Sequence, residues 1–254
     1  PYGMSTNPST NLPYSESYAA YCAEWVKHFK AVGLPVKYYE IVNEPYFYYG
    51  WDRGETKLMG NFANLFSSAA RSMRKANSGV LLGNDAALQK KFLDYFVNYG
   101  EDLDFMSFHT YALTESGGTD AYALRQAKNR YFHQGTNSWY SIDEARQKWS
   151  NKRGKVLPVL ISEHNFSFAW EVGSDSRIQQ VVGAVYTAII IKEAVLKGLS
   201  HCVYYTFSSS ARANSNGNGF GMVNSDDNQP WYPYYVHKLL GNALSGGDQL
   251  VTAA

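Results

Sequence analysis

The chain has 254 residues, enough for one large domain or two small ones. A formal net charge of +1, with Lys and Arg scattered, leaves no basic stripe for a nucleic acid, and no apolar run reaches the ~18 residues that span a bilayer. Hydrophobic residues make up an ordinary 45%, but aromatics reach 16%, so where the rings fall bears on function.

In chain order, residues 15–32 read as a helix that Ser15 or Ser17 can cap and Gly33 can end. Tyr38–Val42 is a strand. Residues 55–77 form a helix, with Leu58, Phe62, Leu65, Phe66, Ala69 and Met73 at helical spacing. Val80–Gly83 is a strand, Leu88–Tyr99 a helix and Asp104–Phe108 a strand. Ala121–Phe132 and Ser141–Ser150 are helices split by the Gly/Asn loop 135–138. Val156–Ile161 is a strand, Ile178–Leu196 a long apolar helix, Ser200–Phe207 a strand and Pro233–Leu244 a final helix. Residues 208–230, rich in Ser, Asn and Gly, read as a long loop. Strict alternation of strand and helix predicts a parallel α/β sheet, and the short apolar strands fit burial on both faces. Cys22, in a helix, and Cys202, in a strand, read as buried thiols, with a disulfide between them as the alternative.

Two acids stand out against this pattern. Glu44 follows Tyr38-Tyr39-Glu40-Ile41-Val42-Asn43, and Glu163 follows Val159-Leu160-Ile161-Ser162. Each closes an apolar, β-branched run and is followed by a loop rich in Tyr, Phe and Asn. An acid at the end of a buried strand has no packing role, so the pair predicts two carboxylates serving one pocket. His109 and Tyr111 lie between them, one residue apart, and share a strand face if the strand continues.

With these residues the chain resembles glycoside hydrolase clan A, the 4/7 superfamily. Asn43-Glu44-Pro45 is similar to the Asn-Glu motif that ends strand four, and Ile161-Ser162-Glu163 to the Glu that ends strand seven. Ser107-Phe108-His109-Thr110-Tyr111 looks like the strand-six His-x-Tyr segment, and Leu81-Leu82-Gly83-Asn84 sits where strand five ends. The local flavour is closest to the β-xylosidase/α-iduronidase family and to cellulase-like members. The resemblance implies a (β/α)8 barrel and retaining hydrolysis of a β-glycosidic bond, without cofactor or metal. It makes Glu163 the nucleophile and Glu44 the acid/base, two groups that retaining enzymes hold roughly 5–5.5 Å apart. Asn43 would meet the sugar 2-hydroxyl, and His109, Tyr111 and Asn84 would line the pocket.

The pattern departs from the clan in two places. Only 43 residues precede Glu44, where three strand-helix units of the barrel need roughly 120. Residues 1–254 are therefore expected to form a single partial catalytic domain, about strands four to eight. The first three strands would lie on another segment or chain, be lost, or go unidentified, with a circularly rearranged or reduced barrel as the alternative. The strand-eight Trp of the clan is also replaced, with Tyr205 or Phe207 in its place.

The aromatic loops suit sugar rings, which present apolar C–H faces between polar edges. Tyr46 and Trp51 follow the acid/base, Trp170 follows the nucleophile, and Trp231 ends the last long loop. The expected substrate is a β-linked polysaccharide cleaved in the manner of a cellulase or β-glucanase, with exo-acting β-xylosidase action as the alternative. A non-catalytic carbohydrate-binding barrel is the alternative of another class. A metal-dependent hydrolase built on His109, His164, Glu163 and Asp85 lacks the H-x-H or HExxH spacing of zinc sites. A secreted or cell-surface location follows only from a polymeric substrate, because Pro1-Tyr2-Gly3-Met4 lacks the charged and apolar regions of a secretion signal.

Overall fold

A computed structural model describes residues 5–50, 58–113, 118–169, 175–210, 219–245 and 248. Its elements in order are α1 (Ser15–Ala31), β1 (Tyr38–Glu40), α2 (Pro45–Tyr48), α3 (Met59–Ala76), β2 (Leu81–Gly83), α4 (Lys90–Tyr99), β3 (Met106–Leu113), α5 (Asp120–Asn129), α6 (Ile142–Arg153), β4 (Val159–Ser167), α7 (Val181–Leu196), β5 (Cys202–Tyr204), β6 (Ser208–Ser209), β7 (Val223–Asn224) and α8 (Tyr232–Ala243). Each of the five predicted strands is present, in the expected alternation with helices. The chain divides into two compact units, Pro1–Phe108 with Asn137–Pro158 and His109–Thr136 with Val159–Ala254. β3 is split between them at Phe108.

In the first unit β1 and β2 pair in parallel, Tyr38 opposite Leu81 and Glu40 opposite Gly83. The Asp104 N–H donates to Leu82 O and the Ser107 N–H to Asn84 O, which carries the hydrogen bonding from β2 to the start of β3. Gly83 has to be glycine, because any Cβ there would overlap the Phe105 ring. The core under these strands is aromatic. α3 buries Phe62, Phe66 and Met73, and α4 buries Phe92 and Phe96. The Phe92 and Phe96 rings stack at 4.1 Å, and Phe96 meets Phe66 edge-on at 5.4 Å. α6 starts in a capping box, with Ser141 Oγ accepting from the Glu144 N–H and the Glu144 carboxylate accepting from the Ser141 N–H. Those bonds hold the Glu144 carboxyl below the usual range. At its other end Arg153 donates to the carbonyls of Phe96, Val97 and Gly100, closing the C-terminus of α4 with a cation.

In the second unit the strand order is β3, β4, β5, and β4 and β5 run parallel. α7 buries Tyr186, Ile190 and Ala194, and the Tyr186 hydroxyl donates to Thr110 O on β3 at 3.1 Å. Arg177 spans Asp175 at 2.6 Å and Asp120 at 3.0 Å, fastening the entrance of α7 to α5.

Several details differ from expectation: β3 runs on to Leu113 rather than ending at Phe108, and β5 covers only Cys202–Tyr204 of the expected 200–207. β4 does not stop before Glu163 but runs on to Ser167, because the apolar positions continue at Phe166 and the strand keeps its neighbour. A four-residue helix, α2, starts directly after Glu44, where Pro45 supplies the φ of a first helical turn. The segment read as loop 208–230 contains two short parallel strands, β6 and β7, too brief to leave a periodic signal. Both cysteines are free thiols, Cys22 buried and Cys202 half-buried, and burial pushes them up to about 11 and about 12. Among the described residues no helix is long and apolar enough to cross a membrane.

His164 is the one fully buried imidazole in the core of the second unit. It lies edge-on to Tyr204 at 5.3 Å and near Tyr186 at 6.0 Å, and neither ring nitrogen has a hydrogen-bond partner among the described residues. Burial, with a smaller contribution from nearby His237, lowers its pKa to about 3. The native state therefore refuses a proton that the unfolded chain accepts below about 6.5. Stability is complete above that value and declines as the pH falls from 6.5 toward 3. Urea unfolding at pH 7 and pH 5 is expected to show roughly 2 kcal/mol of loss attributable to this group. The His164→Leu variant should lack that increment, and an unchanged pH dependence in the variant would rule out the assignment.

Candidate active site

In the first unit the strand β1 ends at Glu40, and four residues later the chain turns into α2. That turn is held in an uncommon conformation. Val42 has φ 65° and Glu44 φ 46°, both in the left-handed region that β-branched and bulky residues avoid. Two buried side chains from the end of β2 hold it there. The Asn84 amide donates to Ile41 O at 2.7 Å and to Val42 O at 3.1 Å. Asp85 Oδ2 accepts from the Glu44 N–H at 2.6 Å. The result is that the Glu44 side chain is half-buried and accepts from the Tyr46 hydroxyl at 3.0 Å, while Asn43 beside it is exposed. Tyr46 is buried and meets Trp139 edge-on at 5.7 Å.

In the second unit β4 carries an extra residue opposite β5. Ile161 pairs with Cys202 and His164 with Tyr204, so three steps on one strand face two on the other. Such a bulge re-aims side chains, and it lies at Ser162 and Glu163, the two half-exposed positions in an otherwise buried strand. The Tyr111 hydroxyl on β3 donates to Glu163 Oε1, and His109 Nδ1 lies 3.9 Å from Oε2. His109 and Tyr111 therefore share a face of β3, as alternation requires. Arg130 donates to Tyr111 O at 3.1 Å and steadies that strand from α5. Phe168 stands edge-on to Tyr111 at 5.6 Å with much of its ring exposed.

The remaining sequence candidates fall differently. Asn84 is fully buried beneath the Glu44 turn and acts on backbone carbonyls, so its place in the structure is that of a positioning residue rather than a pocket wall. Asn165 does the same in the second unit, donating to Phe220 O at 2.9 Å and to Tyr205 O. Tyr205 is half-buried just after β5, edge-on to Phe220 at 5.9 Å, and its peptide to Thr206 is cis. Trp231 is half-buried at the entrance of α8. Trp51 and Trp170 lie outside the described residues. Asp85 and Trp139 were not among the sequence candidates for sugar binding. Their roles depend on contacts across more than forty residues, and only the acid after Asn84 hinted at one. Among the described residues no group of three or more His, Cys, Asp or Glu is arranged to hold a metal, and His164 turns into the core away from Glu163.

What this arrangement can do is set by its donors. Glu44 in the first unit and Glu163 in the second are each half-buried, with a tyrosine hydroxyl on one oxygen. Such groups can accept or deliver a proton, and an ionised one can attack carbon.

Comparison with solved structures gives the same fold in carbohydrate-active enzymes. A monomeric β-xylosidase from Caulobacter crescentus CB15 superposes with a TM-score of 0.65 at 18% identity, covering 92% of this chain and 48% of that one. A family 39 glycoside hydrolase from Bacteroides cellulosilyticus WH2 does so with a TM-score of 0.63 at 18% identity, covering 92% and 47%. A pair of fungal β-1,4-galactanases is represented at 0.56 and 16% identity, covering 93% and 70%. The chain thus shares the α/β fold of glycoside hydrolases and spans about half the length of the first two. No protein-family model matches the sequence, and no curated protein matches it.

Removing the Asn84 donors should loosen the Glu44 turn. Asn84→Ala is expected to destabilise the protein by roughly 1–3 kcal/mol, the range for stranding buried hydrogen-bond partners. Asn84→Asp, similar in shape but without the amide donors, should do no better. Chemical denaturation decides it, and an aspartate variant as stable as the parent would show that the two carbonyl bonds do not hold the turn.

Proposed function

We propose that the chain is the catalytic part of a retaining β-glycosidase, comprising about strands four to eight of a (β/α)8 barrel. The observation that carries this reading is Glu163. A bulge turns it out of a buried strand, a tyrosine hydroxyl meets one oxygen, and a histidine stands beside the other. A carboxylate so placed is poorly explained by packing and well suited to attack.

In this reading Glu163 attacks the anomeric carbon as the bond to the leaving oxygen breaks, and Glu44 gives its proton to that oxygen. The product is a glycosyl ester of Glu163. Water then attacks the same carbon, Glu44 takes the proton from the water, and Glu163 is released with the anomeric configuration retained. Asn43, exposed next to Glu44, is free to meet the 2-hydroxyl of the sugar. No cofactor takes part in either step.

The substrate proposed is a β-linked polysaccharide. Support comes from the exposed rings of Phe47 and Tyr48 after Glu44 and of Phe168 after Glu163, which offer stacking faces. A polymer of this kind is met outside the cell, so a secreted or surface location goes with the proposal. A β-xylosidase acting from chain ends is the second reading, favoured by the names of the Caulobacter structures.

The test is turnover on aryl β-glycosides and β-linked oligosaccharides. Glu163→Ala should lower kcat by about four orders of magnitude or more, and azide should restore turnover with an inverted glycosyl azide as product. Glu44→Ala should lose roughly 10²–10⁴-fold on poor leaving groups and much less on activated ones, with azide giving a retained product. Near-normal activity of Glu163→Ala would refute the nucleophile. Oligosaccharide binding with no turnover by the parent protein would instead point to a carbohydrate-binding function.

A further inference from the structure

Helix α8 is held by a narrow stripe. Only Pro233 is fully buried; Tyr234, Val236, His237 and Leu240 are half-buried, and every other residue from Tyr232 to Ala243 is exposed. Those positions recur at helical spacing, so they form the face that α8 turns to the second unit. There it packs on α7 and on the 3₁₀ turn Ser176–Gln179. His237 lies near the middle of that face. It is the one position in it that can gain a full charge near neutral pH.

His237 is placed among groups that suit it only as a neutral ring. It lies edge-on to Tyr204 at 5.7 Å, and His164 lies edge-on to the same tyrosine at 5.3 Å. The Tyr204 hydroxyl donates to Asn165 Oδ1 at 3.3 Å and serves neither imidazole. His237 Nε2 is buried without a hydrogen-bond partner, as are both nitrogens of His164. A neutral imidazole can leave its acceptor nitrogen empty at modest cost. An imidazolium there would bury a charged N–H with nothing to receive it.

No acid stands by to compensate. α8 contains no Asp or Glu; besides His237 it carries the phenols Tyr232, Tyr234 and Tyr235 and the exposed Lys238. On α7 the charged residues are Lys192 and Glu193, which pair at 2.9 Å, and Glu193 also meets His133 at 3.1 Å. On the 3₁₀ turn Arg177 joins Asp175 at 2.6 Å and Asp120 at 3.0 Å. α7 also brings Tyr186, which lies near His164 at 6.0 Å, and β5 brings Cys202 and Tyr204. β4 brings His164 and, turned toward Tyr111 and His109, Glu163. The surroundings of His237 therefore hold a second imidazole, a thiol and phenols, while the carboxylates on these elements are already engaged.

We infer that α8 is an acid-released element: it is held on the second unit while His237 is neutral and let go when that ring takes a proton. The sign follows from burial, which lowers the proton affinity of His237 in place and, with His237 contributing, that of His164. Once released, His237 is an ordinary imidazole that titrates near 6.5. The released form therefore binds more protons, so the attachment is complete above that value and weakens as the pH falls below it. Nothing in this device depends on the glycosidase reading.

Hydrogen exchange of the whole chain, read by mass spectrometry at pH 7.5, 6 and 5 and corrected for intrinsic rates, tests it. Peptides from 232–243 are expected to show an opening equilibrium about tenfold larger at pH 5 than at pH 7.5. That lies within the roughly thirtyfold that one imidazole of ordinary pKa can supply. Their protection should be lower than that of β3 and β4, which open only when the second unit unfolds. In His237→Gln the α8 response should fall to within twofold, while His164→Leu should keep it. In the parent protein the His237 ring protons, followed by NMR, should shift over the same pH range in which α8 protection is lost; this reading needs no variant. Three results would each overturn the release: α8 amides that open only together with β4, a response retained in His237→Gln or lost in His164→Leu, or a His237 protonated at pH 5 with α8 still fully protected.

Discussion

Near each candidate carboxylate a buried asparagine amide reaches sideways to the backbone of a neighbouring segment. Asn84, just past β2, donates to the carbonyls of Ile41 and Val42 after β1. Asn165, on β4, donates to those of Tyr205 and Phe220 after β5. Strand ends leave carbonyls without ladder partners, and a buried carbonyl left unpaired costs about 1–3 kcal/mol. An asparagine amide, with two donors on one nitrogen, can serve two such carbonyls at once. The same device recurs in the two units, beneath the Glu44 turn in one and two residues after Glu163 in the other.

In the first unit the amide does more than satisfy acceptors. Val42 and Glu44 both have positive φ, a conformation that persists only where the surroundings over-determine it. Asn84 fixes the carbonyl of Val42, and Asp85 fixes the N–H of Glu44. Between those anchors the chain has little freedom, and Pro45 then commits it to α2. The second unit reaches a similar end by different means. There the backbone stays extended, and one extra residue in β4 turns Glu163 outward while Tyr111 and His109 meet it from the adjacent strand.

The strand and helix order was legible because the strands are short apolar runs and the helices carry strong periodicity, as at Phe62, Phe66, Ala69 and Met73 on α3. The two glutamates were legible because acids in such runs are out of place. What escaped was whatever depends on pairing across the chain. The bulge at Ser162 and Glu163 has no local signature, so β4 looked as though it stopped where it only kinks. Asn84 looked like a ligand-facing amide because polar residues after a strand often are; only its distant carbonyl partners show otherwise. Trp139 sat at the edge of what read as a plain linker between helices, and its edge-on contact with Tyr46 follows from the bridge to Gln89.

These observations separate two kinds of polar residue near a carboxylate. Asn84, Asp85, Asn165 and Arg130 are directed at backbone atoms and set where the strands and turns lie. Tyr46, Tyr111 and His109 face the carboxylates themselves. A phenol donating to one carboxylate oxygen restrains the rotation of the group. Replacing a residue of the first kind should shift the backbone and be felt in stability, whereas replacing one of the second kind should be felt in the chemistry at nearly constant stability. The two sets do not overlap, so the scaffold and the groups that meet the carboxylates can be varied separately.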